Sequence, residues 1–262
     1  LSYVFTSKKA TRFLPFLLVI ILALFTKSRT AFVVIIAQVI VGVYYAYTIY
    51  PKFRSLFTKA TIVGFFIVIL SFIFFGKTIV NNIEERIDAL NFAKNLEFKS
   101  SENAVSNKSR LGIQYAMFQV YKQNPVFGTG WGQQTFEARH HYPDWAIKHN
   151  YEFKTMYLNE DLKSFPPGYN MYLRILTESG IFGILVYLLF LFVIMKRLIL
   201  YYKTQEENNF IVIALIVSFL GYALNWLQID SFRLYGFWLC LAILIILNKN
   251  RNDKHYSSHT TL

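Results

Sequence analysis

Long apolar stretches separated by short basic ones set the first expectation for this chain. Stretches at about 13–26, 30–50, 60–75, 171–195, 210–229 and 234–247 read as membrane-spanning helices. The second and fifth lie inside uncharged runs of 22 residues, Thr30 to Pro51 and Asn208 to Ile229. At about 1.5 Å per residue each covers a hydrocarbon core of roughly 30 Å. The first and last, only about 14 residues long, need snorkelling bases or local thinning to cross. Lys8, Lys9 and Arg12 ahead of the first run resemble the start of a signal peptide, but no small-residue cleavage site follows and more spans do, so the run reads as a membrane helix. The chain begins with Leu1 rather than Met, and is expected to be a fragment.

The pattern changes between the third and fourth spans. Gly76 to Gly168 is the only sizeable polar segment, too long for a passive connector. Residues 81–109 read as an amphipathic helix running into a polar, mobile stretch. From Arg110 to Tyr121, Leu111, Tyr115 and Phe118 on one stripe and Ile113, Met117 and Val120 on another have helical spacing, and Asn124-Pro125 stops the helix. The expected fold is therefore an all-α polytopic membrane protein of about six spans. It divides into spanning helices at 1–75, an extracytoplasmic loop at 76–170, spanning helices at 171–247 and a basic cytoplasmic tail at 248–262. No internal repeat is evident.

Composition narrows the classes. With 55% hydrophobic and 16% charged residues, a soluble domain is excluded. The net charge of +12 would suggest nucleic acid in a soluble protein, but the bases instead fall at every second helix boundary: Lys8/Lys9/Arg12, Lys52/Arg54/Lys59, Lys196/Arg197/Lys203 and Lys249/Arg251/Lys254. This is an orientation signal that places both termini in the cytoplasm and the polar loop outside. A single Cys, Cys240, provides neither a disulfide framework nor a thiolate metal site.

Lys27 and Arg29, in TKSRT, break the positive-inside pattern by lying on the outer side next to apolar runs. An Arg there suits bidentate contact with phosphate oxygens, or snorkels to lipid headgroups. Gly128, Gly130 and Gly132 in NPVFGTGWG let backbone amides approach an anion, or form a turn packing under Trp131; without a following Lys-Ser/Thr this is no Walker loop. Arg174 and Glu178, four apart on one helix face, are placed to pair near the outer boundary. Gly180 and Gly183 behind them suit close helix packing. His140, His141, His149, Glu137 and Asp144 are the loop's acid–base options, though a loop His is commonly just a surface residue.

TKSRT after one membrane helix, an Arg-headed amphipathic helix running into NPVFGTGWG, and N-x-Y-L-x-x-L-x-E-x-G-x-x-G entering the next helix together resemble the O-antigen ligase/polymerase family over roughly residues 12–195. The likeness is to the C-terminal half of such proteins, implying a GT-C-like membrane fold. It implies a metal-independent, cofactor-free glycosyltransferase of the cell membrane acting on its outer face. The donor would be a glycan on undecaprenyl diphosphate. The acceptor would be another lipid-linked repeat unit in a polymerase of capsule-like polysaccharide, or a terminal carrier in a ligase. Membrane lipids surround such an enzyme, and a flippase and a chain-length regulator are its expected partners.

By that likeness Arg29 and Arg110 face the diphosphate and Glu178 matches a family glutamate; Tyr169-Asn170 is expected to orient the acceptor, and Lys27, Gly128, Gly130, Trp131, Arg174, Glu178 and His149 are the residues expected around the substrate. Ligase members commonly carry His-Asn where this chain has Tyr169-Asn170, which favours polymerase. Two readings from other classes stand beside it. A transporter of the same lipid-linked glycan would show repeats and Gly- or Pro-broken helices with charges at mid-depth. In a non-catalytic scaffold Arg29 and Arg110 would be replaceable.

Overall fold

In the computed structural model, residues 34–42, 44, 102–162, 165–204 and 209–259 are described. Among them the chain is all-helical, and it forms two compact units, 46–186 and 1–45 with 187–262.

The first unit is built on α1, Glu102–Gln123. Ile113, Ala116, Met117 and Val120 form its buried stripe, against which pack Ala138, Tyr142, Ala146, Phe153 and Tyr157. These partners come from a string of short elements: α2 (Gln134–Ala138), a 3-10 turn (Arg139–His141), α3 (Asp144–Ile147) and a π-helical turn (Phe153–Tyr157). Of the two stripes the spacing offered, the one through Ile113, Met117 and Val120 faces the core, whereas Tyr115 and Phe118 are exposed. The helix stops before Asn124-Pro125 as expected, with the Asn124 N–H bonding the Val120 carbonyl.

The start of α1 corrects the expected mobile stretch: residues 102–109 are helical. Asn107, Lys108 and Ser109 are buried although polar, and Asn150 Nδ2 donates to Ser109 Oγ at 2.9 Å from 41 residues away. Arg110 accordingly sits about two turns inside the helix, not at its head.

The next helix, α4, runs Met171–Thr204. Among the described residues it is the helix long and apolar enough to cross a membrane, over Met171–Lys203. It does not run straight: Gly180 has φ 65° and ψ −163°, outside the helical region. The expected spans at 210–229 and 234–247 appear as α5 (Asn209–Asn225) and α6 (Tyr235–His259), whose apolar parts, Ile211–Asn225 and Tyr235–Lys249, are shorter. The spans expected at 13–26 and 60–75, and most of 30–50, lie outside the described residues.

The second unit is held by aromatic contacts. Trp226 and Phe237 are fully buried with ring centroids 4.8 Å apart. Tyr187 and Phe219 add edge-on contacts at 5.6 and 5.3 Å. Helical residues 34–42 join through Gln38, whose amide donates to the Val217 carbonyl at 3.2 Å.

Candidate functional site

The site assembles where α1, the glycine-rich loop and the first turns of α4 meet. Asn170 opens α4 as its N-cap: Oδ1 accepts the Leu173 N–H at 3.0 Å, and its carbonyl accepts the Arg174 N–H at 2.9 Å. This is a structural use for a residue the sequence assigned to the acceptor. Tyr169, just before the cap, takes a left-handed φ of 55°, a conformation that costs a non-glycine residue about 1 kcal/mol or more. Several contacts hold it there. Gln114 Nε2 donates to its carbonyl at 3.3 Å, its side chain hydrogen-bonds to Tyr157, and the Arg110 guanidinium lies over its ring, 4.9 Å from the centroid.

Arg110 and Gln114, one turn apart on α1, therefore clasp Tyr169 from one side and Tyr157 from another. Burial first, and then the bond to Tyr169, push the Tyr157 hydroxyl well above the usual tyrosine range, so that it stays neutral. No carboxylate among the described residues pairs with Arg110. Its charge stands beside the N-terminal end of α4, where the helix dipole favours an anion.

The second part is a backbone joint between the loop and α4. At Gly180 the helix opens, and loop groups take the bonds that helical neighbours would have made. Ile181 donates its N–H to the Pro125 carbonyl at 2.9 Å instead of to Thr177; the Thr177 carbonyl accepts the Thr129 N–H at 3.0 Å, and the Glu178 carbonyl accepts the Gly130 N–H at 2.9 Å. Only glycine fits at the crossing. Gly180 lies so close that a Cβ there would collide with the Val126 carbonyl, and Gly128, at φ 70°, faces the Glu178 carbonyl and Ser179 nitrogen just as closely. Thr177 Oγ1 ties the same turn to α1, bonding the Met117 carbonyl at 3.2 Å and the Leu173 carbonyl at 2.8 Å.

These contacts correct two sequence expectations. The glycine loop does not pack under Trp131, which is exposed; it caps a broken helix. Gly180 serves that break and not close helix packing. The break itself is a feature the sequence associated with transporters.

Arg174 and Glu178 pair as their spacing predicted, Nε to Oε1 at 3.1 Å, with the glutamate side chain 0% and the arginine side chain 24% exposed. The Arg174 guanidinium also lies 5.4 Å from the Trp131 ring centroid, drawing the end of the loop into the same group. His149 lies apart: at φ 57° it lines an open cavity of about 670 Å³ with Val105, Ile147, Asn150, Tyr151, Lys154 and Leu158, a lining that includes neither Arg110 nor Tyr169. Lys27 and Arg29 lie outside the described residues. Among those described, no His, Cys, Asp and Glu cluster together as a metal site.

The sequence missed Gln114, Tyr157 and Thr177; Gln114 and Thr177 reach Tyr169 and Met117 across 55 and 60 residues, and no local signal marks them. No curated protein and no solved structure matches this chain. The sequence profile of the O-antigen ligase family, however, matches residues 14–188, a stretch holding the loop, both arginines of the site and the first half of α4. That covers more than half of the 262 residues. The chain is thus a membrane protein and enzyme of the O-antigen ligase family, whose substrates are lipid-linked glycans.

Proposed function

We propose that this chain polymerises a surface polysaccharide, transferring a glycan from undecaprenyl diphosphate to the sugar of a second lipid-linked unit on the outer face of the membrane. The acceptor hydroxyl oxygen bonds to the anomeric carbon as the carbon–phosphate oxygen bond breaks. The diphosphate leaves with the electron pair and the hydroxyl proton is released. Charge on the departing diphosphate rises along this path, so a fixed guanidinium stabilises the transition state more than the bound donor.

The observation that carries the reading is Arg110: held over the Tyr169 ring beside the positive end of α4, with no carboxylate among the described residues to neutralise it. Arg29, from the outer boundary of the sequence's first two spans, would complete the anion grip. Tyr169 occupies the position where ligase members carry histidine, and its ring is engaged by Arg110 and Tyr157. That supports chain growth over ligation to a terminal carrier, the reading closest to the family's own description.

The test is Arg110→Lys and, separately, Arg29→Lys in the full-length protein, with the polysaccharide sized on a gel. Polymer is expected to shorten or vanish while single repeat units accumulate outside the membrane. An unchanged chain-length distribution at normal protein level would refute the diphosphate role. The break at Gly180 favours a transporter as the second reading; units stranded on the cytoplasmic side would establish it instead.

A further inference from the structure

The loop that caps α4 carries side chains its polar surroundings do not explain. Phe127 is 77% exposed and Val126 43%. Phe127 stacks on Phe182 with centroids 5.8 Å apart and an interplanar angle of 23°. Phe182 belongs to the exposed apolar run Ile181, Phe182, Leu185 and Val186 of α4, which lies in the membrane-crossing stretch. The hydrogen bonds to Thr177, Glu178 and Ile181 fix the height of the loop along that helix, so Phe127 shares the depth of its stacking partner.

Irregular backbone is normally excluded from hydrocarbon because its N–H and C=O groups go unsatisfied. Several of this loop's backbone groups are already bonded. Pro125 has no N–H, and its carbonyl is taken by Ile181. The Gly128 N–H bonds the Asn124 carbonyl at 3.0 Å, and the Thr129 and Gly130 N–H groups are taken by α4. Trp131, on the polar side of the loop against Arg174, has the amphipathic character suited to the headgroup level.

We infer that the turn from Pro125 to Gly128 is a membrane-inserted wedge, with Val126 and Phe127 seated among lipid acyl chains beside Phe182. The loop read from sequence as wholly extracytoplasmic would then dip into the bilayer at its glycine joint. Its depth would set the height of Arg174 and Trp131 relative to the headgroups. The occupant is acyl chain because the patch is continuous with the helix surface that lipid must cover.

The test uses the full chain in phospholipid nanodiscs with Cys240→Ser, which removes its one cysteine. Phe127→Cys carries a nitroxide whose collisions with oxygen and with a water-soluble nickel chelate are measured. Leu185→Cys serves as the lipid standard and Glu160→Cys as the water standard. Oxygen collisions should rise and nickel collisions fall to the Leu185 values. Nickel-rich collisions like those at Glu160, or low collisions with both reagents as for a site covered by protein, would overturn the inference. Should Phe127→Cys not assemble, Val126→Cys carries the same readings. Because accessibility is read without catalysis, its outcome is separate from that of the arginine variants.

Discussion

Arg110 and Arg174 share a packing arrangement and differ in charge balance. Each guanidinium rides on an aromatic face, Tyr169 at 4.9 Å and Trp131 at 5.4 Å. Arg174 donates to a fully buried carboxylate, whereas no carboxylate among the described residues meets Arg110. An aromatic face orients a guanidinium without neutralising it; a buried acid orients it and consumes its charge. Under the proposed function, this contrast assigns Arg110 to the ligand and Arg174 to the structure. Arg110→Gln should lower glycan transfer by about 100-fold or more, the order seen when a preorganised donor to a developing anion is removed, with stability falling by no more than about 1 kcal/mol for the lost contact with Tyr169. The double variant Arg174→Gln with Glu178→Gln, which removes a pair without stranding either charge, should stay within about tenfold of the parent. Equal losses in the two would erase the distinction.

Only the Arg174 side is bolted to the glycine loop, and this gives the next largest effect. Gly180→Ala adds a collision with the Val126 carbonyl to an already left-handed φ, and should cost about 3 kcal/mol of stability measured by thermal unfolding in detergent. Breaking the ion pair singly should cost as much or somewhat less, and in a definite order. Arg174→Gln strands a carboxylate with no exposure and should cost about 3 kcal/mol. Glu178→Gln strands a guanidinium that is 24% exposed and should cost nearer 2 kcal/mol. The reverse order would mean that Glu178 does not depend on Arg174 for its charge.

Sequence reasoning reached these residues unevenly, for physical reasons. The Arg174–Glu178 pair was legible because four-residue spacing alone puts both on one helix face. The core stripe of α1 and its stop at Asn124-Pro125 were legible for the same local reason. The first turns of α1 were not, since Asn107, Lys108 and Ser109 look solvated in sequence yet are buried, and Asn150, the partner of Ser109, lies 41 residues away. Gly180 was misread because a glycine in an apolar run looks like a packing contact; the residues that demand it, Val126 and Phe127, lie more than 50 positions earlier. Arg110 and Tyr169 were singled out through family likeness alone. Their contact depends on how α1 meets the start of α4, which no local pattern encodes.

The smallest expected effects separate the two aromatic platforms. If Tyr169 is what aims an Arg110 that meets no carboxylate among the described residues, Tyr169→Leu should reduce transfer about fivefold, matching a cation–π contact of about 1 kcal/mol. Tyr169→Phe, which keeps the ring face and loses only the bond to Tyr157, should reduce it less. Trp131→Leu should change transfer by less than about twofold, because Glu178 continues to hold Arg174 once the indole is gone. pH offers a check on the same platform. Burial holds the Tyr157 hydroxyl protonated well past its ordinary range, so its stabilising contribution is complete below about pH 10 and is lost only as pH rises through the raised value. Between about pH 7 and 9 the Tyr169→Leu loss should therefore stay constant; a loss that shrinks as pH rises would mean that the ring's tether titrates and that Arg110 is aimed by something else.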